Sequence, residues 1–241
     1  MGVRGKFLSL GSGSGPGDIF GDGSNMFTSN FSAGTLSSVE GGATYQGYGR
    51  SGGVYYEDNS VVAFRNDLPP NRSGFGKSIT LSDTTDDPSI ALDGVTKTAI
   101  RTYSFWVYVD VHDDDDNLVL GINLKRQNNG TMFTYITTPD GSSTSNDSFS
   151  VVSTDTWHHI TVTRRDDNNV YTYQNGTLLG SIAAGTRTRI VLDGPGGGTD
   201  LRFMSFADAD VSNEIWVTGA RMFDRGITAA EVTTLYNENP N

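Results

Sequence analysis

Beyond residue 54 the chain is cut into short runs, and this cutting limits its fold more than any other feature. YSFWVYVD, NLVLGINL, TMFTYITT, SFSVVS, HHITVTR, VYTYQ, RIVL, LRFMSF and EIWVTGARMF are rich in β-branched and aromatic residues. Asp, Asn, Gly and Pro stand between them. Runs this short, bounded by turn formers, suit antiparallel strands packed as two sheets. No long helical period appears before the C-terminus, so alternating strand–helix units are not expected.

One stretch can be read almost residue by residue. Ile160 and Val162 alternate with Thr161 and Thr163, which gives a strand one apolar face. RRDDNN, residues 164 to 169, is a polar connection, and Val170 to Tyr173 returns as the partner strand. Asn175 and Gly176 both tolerate positive φ, as a type I′ turn demands. Leu178 and Leu179 then open a third strand, completing a meander. Near the C-terminus, Thr228 and Glu231 are spaced as a capping box, with Ile227 and Val232 at the hydrophobic-staple positions. Leu235 and Tyr236 extend the apolar stripe, and Pro240 cannot continue the helix.

Residues 1 to 53 have another texture. They hold 15 of the chain's 30 glycines, and large apolar residues such as Phe7, Ile19, Phe20, Phe27 and Phe31 stand isolated. Such a stretch buries too little surface to offset its backbone entropy. The reading is therefore a flexible Gly/Ser-rich anchoring arm, 1–53, ahead of a sandwich, 54–241. The five apolar residues would be the points at which the arm grips a partner.

Length and charge narrow the function classes. A chain of 241 residues suits one large all-β domain with an arm. Its net charge of −11 opposes nucleic acid, which needs clustered cations. It equally opposes an anionic membrane surface. With no cysteine, disulfides, thiolate nucleophiles and iron–sulfur clusters are excluded. MGVRGKFLSLGSGSG lacks the apolar core of a secretion signal, and no apolar run is long enough for a spanning helix. Opening on Met1, the chain reads as a small protein in its own right.

Several segments together resemble the laminin-G-like, concanavalin A-like jelly-roll family. GFGKSITL (74–81) and SIALDG (89–94) are similar to its opening strands, and YSFWVYVD (103–110) to a later one. DTWHHITVTRRDDNNVYTYQNGTLLGS resembles the family's hairpin. GARMFDRGITAAEVTTLYN (219–237) resembles its closing strand and short helix. The resemblance spans about residues 55–237. It implies an all-β, antiparallel two-sheet jelly-roll sandwich with a short C-terminal helix. The family includes lectins, adhesins, glycosidase accessory modules and viral structural proteins, so fold alone names no function.

The chemical candidates are few. His158 and His159 are adjacent on a strand and must point to opposite faces, so they cannot share a metal ion. His112 is remote from both. Trp106, Trp157 and Trp216 read as core aromatics, with sugar stacking as the alternative for one of them. HDDDD places Asp113 and Asp115, and FADADVSNE places Asp208 and Asp210, where loop carboxylates could ligate calcium. Neither has the spacing of an EF-hand, and a solvated loop is the competing reading. Retaining glycosidases of this fold carry Glu-x-Asp-x-x-Glu on a strand, with two carboxylates about 5.5 Å apart. This chain has five Glu in no such arrangement. No nucleophile elbow, zinc helix or phosphate loop is present. The expectation is a protein that is not an enzyme and carries no cofactor, calcium aside.

The leading functional expectation is a virion structural protein, assembled in the host cytoplasm. The arm would bind capsid or tail proteins and the sandwich would face outward. Decoration proteins of tailed phages are built in this way and often form trimers, so a homo-oligomer is expected. The alternative is a lectin or adhesin module for host-surface glycans. Its rim would lie near Asp113, Asn128 to Gly130, Asp140-Gly141 and Asp193-Gly194.

Overall fold

A computed structural model describes residues 19–29, 44–47, 61–82, 89–93, 99–110, 117–119, 122–123, 132–137, 144–149, 153–187, 190, 201–206 and 215–239. Among these residues the strands form two antiparallel sheets, as expected.

The first sheet contains eight strands. They are β1 (Asn25–Thr28), β3 (Val61–Arg65), β4 (Ser78–Ser82), β6 (Thr102–Val109), β11 (Trp157–Arg164), β12 (Asn169–Gln174), β13 (Thr177–Ala183) and β15 (Ile215–Phe223). Their order is β13-β12-β11-β6-β15-β4-β3, with β1 alongside β15. The second sheet has seven strands. They are β2 (Thr44–Gly47), β5 (Ser89–Asp93), β7 (Asn117–Val119), β8 (Ile122–Asn123), β9 (Met132–Thr137), β10 (Thr144–Phe149) and β14 (Leu201–Phe206). Their order is β10-β9-β8-β7-β14-β5-β2.

The meander formed by β11, β12 and β13 matches the reading from the alternation of Ile160 and Val162. Asn175 and Gly176 take φ of 51° and 77°, the conformations a type I′ turn requires. Helix α1 (Ala229–Tyr236) is capped as its spacing predicts. Thr228 N donates to Glu231 Oε2 at 2.7 Å, and Glu231 N donates to Thr228 Oγ1 at 3.3 Å. Ile227 and Val232 are both fully buried, in one cluster with Leu235, Tyr173 and Phe223.

The two faces of the first sheet bury different chemistry. On one face Tyr103, Phe105, Val107, Val109, Ile160, Val162, Val217 and Met222 are buried, as the interior of a two-sheet sandwich requires. The other face carries Thr102, Ser104, Trp106 and Tyr108. Helix α1 lies over part of it, with the Tyr236 ring 5.6 Å from that of Trp106.

Residues 19–29 are part of this sandwich, which corrects the expected boundary at residue 53. Strand β4 meets β15 only at Val217, and β1 takes the neighbouring place further along, pairing with Arg221, Met222 and Phe223. Ser29 N donates to Ala220 O at 2.8 Å, and Ala220 N donates to Ser29 Oγ at 2.7 Å. Thr44–Gly47, also within the expected arm, pairs with β5 in the second sheet. Isolated apolar residues suffice here because β15 and α1 supply the rest of the apolar surface. That compensation is tertiary and is invisible in local composition.

A bulge shapes β15 where β1 docks. The register shifts between Thr218 and Arg221, and Gly219 takes φ of 60°. A Cβ there would lie 2.9 Å from the Phe75 ring, so both backbone and packing demand glycine.

Candidate binding surface

Three aromatic residues stand in a row across the first sheet. Tyr108 on β6 is opposite Trp157 on β11 and opposite Trp216 on β15. Directly opposed residues share a face and lie in side-chain contact. Trp157 and Trp216 are buried, whereas Tyr108 between them is partly open. The Tyr108 and Trp157 rings are 5.6 Å apart and tilted by 51°. Both tryptophans are thus core aromatics, as the sequence suggests, and the row offers its middle ring to solvent.

Charged groups border that ring. Arg65, at the end of β3, lays its guanidinium 3.7 Å above the Trp216 ring and 6.0 Å from Tyr108. Asp155 sits in the turn before β11 at φ of 57°, and its N–H bonds Val109 O at 2.9 Å. The Tyr108 hydroxyl donates to Asp155 Oδ1 at 3.2 Å. Partial burial raises the Tyr108 pKa, the bond to Asp155 raises it further, and so do the charges of Asp155, Asp110 and Asp67. All three carboxylates therefore act on one half-exposed ring.

The adjacent part of the same face is sealed. Trp106 is tilted against His159 at 5.0 Å, and Tyr236 covers both. Arg72 donates to Tyr236 O at 2.7 Å, tying the loop before β4 to the end of α1. His159 Nε2 is 2.8 Å from Ser104 Oγ. Burial, with the Arg72 charge adding to it, holds the His159 imidazole at about 3, so it is neutral at ordinary pH. His158 points to the opposite face, bonded to Gln174 and near Ser153. The histidines therefore hold the sheet together at two separate places.

The other sequence-derived candidates fall as follows. Asp113, Asp115, Asp208 and Asp210 lie outside the described residues, as do the rim loops near residues 128–130, 140–141 and 193–194. Among the described residues no group of three or more acidic or histidine side chains is placed to hold a metal ion. Phe7 and Phe31 are also outside the described residues. The remaining expected arm contacts are engaged within this chain. Phe27 is fully buried, and Ile19 and Phe20 pack against the cluster beneath α1. Phe20 lies 5.2 Å from Phe223, under Arg225, which also bonds Asp22 and Glu231.

Sequence reasoning missed Tyr108, Asp155, Asp67, Asp110 and Arg65. One signal was available: Trp106 and Tyr108 are two apart on a strand that ends in Asp110, so they share a face that runs toward a carboxylate.

Comparison with known proteins agrees with this architecture. A family model described as the concanavalin A-like lectin/glucanases superfamily, of laminin G type, matches residues 78–233. The chain belongs to this superfamily. No curated protein matches it significantly in sequence. Among solved structures, this concanavalin A-like domain is similar to the binding domain of botulinum neurotoxin DC in complex with rat synaptotagmin II. The TM-score is 0.62 at 15% identity, covering 89% of this chain and 51% of that one. It is also similar to the binding domain of Paraclostridial Mosquitocidal Protein 1, with TM-score 0.62, 14% identity and coverage of 89% and 52%. A further match is the botulinum neurotoxin DC binding domain in complex with SialylT, at TM-score 0.61, 14% identity and coverage of 89% and 51%. The chain spans about half the length of these structures, and the likeness establishes the fold.

Proposed function

We propose that this chain is a non-catalytic glycan-binding module whose ligand meets the Tyr108 row. One observation carries the reading: a half-open aromatic ring on a rigid sheet, braced by two buried tryptophans, hydrogen-bonded to the Asp155 carboxylate and flanked by Arg65. A sugar presents apolar C–H faces that an aromatic ring can cover, and hydroxyls that carboxylates accept from. Bracing by Trp157 and Trp216 keeps the ring in place, so little order is lost on binding.

The non-catalytic part rests on sequence, since the paired strand carboxylates of glycoside hydrolysis are not found in it. The similarity to toxin binding domains supports a recognition role. A position on a virion surface, with capsid or tail proteins as neighbours, is the proposed setting. Ile19, Phe20 and Phe27 are spent on the domain's own packing, so attachment falls to other segments. Calcium at Asp113 and Asp115, or at Asp208 and Asp210, belongs to the same proposal. Chelation should then lower the melting temperature, because a ligand bound only by the folded chain stabilises it.

The test is a glycan array probed with the full chain and with Tyr108→Ala. Binding to one sugar class that is lost in the variant, at unchanged melting temperature, is the expected result. A silent array, or equal binding by the variant, would defeat the proposal.

A further inference from the structure

The packing around Tyr108 bears on how much of a glycan the surface can take, an inference that rests on the glycan-binding reading above. Trp157 and Trp216 flank Tyr108 along the row, and Trp106 stands two residues away on the same face of β6. Their exposures are 8%, 5% and 5%, so none of the three offers an open ring. Each is covered by a definite contact. The Arg65 guanidinium lies face-on over Trp216 at 3.7 Å. Tyr236 stacks on Trp106 at 5.6 Å, and the Arg72 guanidinium lies 5.4 Å from the same ring. Trp157 leans on Tyr108 itself. Phe75 and Leu68, from the segment before β4, pack into the same cluster. Further along this face Ser104, Thr161 and Thr218 are buried as well. Across β6, β11 and β15, every residue of this face is buried except Tyr108.

The opening is therefore one ring wide. A glycan lying along a sheet needs a further open ring for each further sugar that stacks. Here a second sugar along the row would meet the Arg65 guanidinium, and one placed along β6 would meet Tyr236. The polar groups at the ring also suit one sugar. Asp155 accepts from the Tyr108 hydroxyl at 3.2 Å, and a carboxylate has capacity for a sugar hydroxyl besides. Arg65, 6.0 Å from the ring centre, brings N–H donors for hydroxyl oxygens. We propose that Tyr108 takes a single sugar at the free end of a glycan, with the rest of the chain directed away from the sheet. Such a site reads chain ends. The same sugar inside a chain is refused by the clash of its next residue.

The test extends the glycan array with the full chain. Every array glycan that binds is printed again with one xylose residue added to its free end. Capping should weaken binding about tenfold or more, read from the half-saturating protein concentration. Capped glycans that bind as tightly as free-ended ones would overturn the end-on inference and leave the glycan reading standing. A silent array would remove the glycan reading, and this inference with it. Two variants check the cause. Arg65→Ala takes the guanidinium off Trp216, and Tyr236→Ala takes the covering ring off Trp106. Either one, with its fold checked by thermal melting, should shrink the capping penalty to about threefold or less. An undiminished penalty in both folded variants would also overturn the inference, because the neighbouring cover would then not be what limits the ligand.

Discussion

Arg221 and Glu238 form an ion pair that ties the residues after the helix to the middle of the first sheet. The Arg221 side chain is 1% exposed and that of Glu238 11%. Arg221 Nε donates to Glu238 Oε2 at 2.9 Å, Nη2 donates to Oε1, and Nη1 donates to Thr28 Oγ1 at 3.1 Å. One guanidinium thus joins β15, the N-terminal strand β1 and the C-terminal segment.

Removing Glu238 leaves the buried Arg221 guanidinium without its carboxylate counter-charge. Glu238→Ala should destabilise the fold by about 3–5 kcal/mol, read from urea unfolding. Arg221→Met combined with Glu238→Leu should cost less, because replacing both charges by apolar side chains leaves neither one bare. A Glu238→Ala cost below about 1 kcal/mol would place the pair among screened surface contacts.

The N-terminal strand makes a second prediction. Phe27 is fully buried, so Phe27→Ala should cost about 3–5 kcal/mol. A chain beginning at residue 19 should melt like the full chain. One beginning at residue 54 loses β1 and β2 and should melt lower, with its β15 edge exposed. Equal melting of the two shortened chains would show that β1 adds nothing to stability.

The buried histidine predicts a pH dependence. The folded His159 sits at about 3, below its ordinary 6.5, because burial disfavours the charged form. The unfolded chain therefore binds the extra proton first as pH falls. Stability is complete above the unfolded value and declines as pH drops through roughly 6.5 toward 3, at up to about 1.4 kcal/mol per pH unit. His158 is lowered too, by burial, and adds in the same direction. Denaturation curves between neutral and mildly acid pH should show this slope, and His159→Gln should flatten it. The same slope in His159→Gln would assign the effect elsewhere.

Two glycines should differ in tolerance. At Gly226 a Cβ would meet Arg164 O at 2.5 Å and Arg165 Cα at 2.8 Å, both backbone atoms. Gly226→Ala should therefore cost about 3 kcal/mol, since the sheet cannot yield. At Gly185 the space is open and only φ of 59° resists a side chain. Gly185→Ala should cost about 1–2 kcal/mol. Thermal melts of the two variants check the order, and the reverse order would contradict the packing at Gly226.

Elements whose signals are local were legible in the chain itself. Thr228, Glu231, Ile227 and Val232 lie within six residues of one another, and the cap and staple formed as their spacing foretold. Asn175-Gly176 set its turn because only a few residue types accept those dihedrals. The candidate surface was mostly hidden. Tyr108, Asp155, Trp216 and the neighbours Arg65 and Asp67 come from four places in the chain, and each looks ordinary in its own segment.

By itself the sequence determined the meander, the capped helix and the membership in a two-sheet family, because propensity, alternation and turn chemistry act over a few residues. Only the tertiary structure decided that residues 25–28 belong to the sandwich, since their burial depends on β15, almost two hundred residues away. It also decided that Tyr108, between two tryptophans, stays partly open where the helix ends beside Trp106. Register across strands sets both outcomes, and register is a relation between distant segments that no local pattern carries.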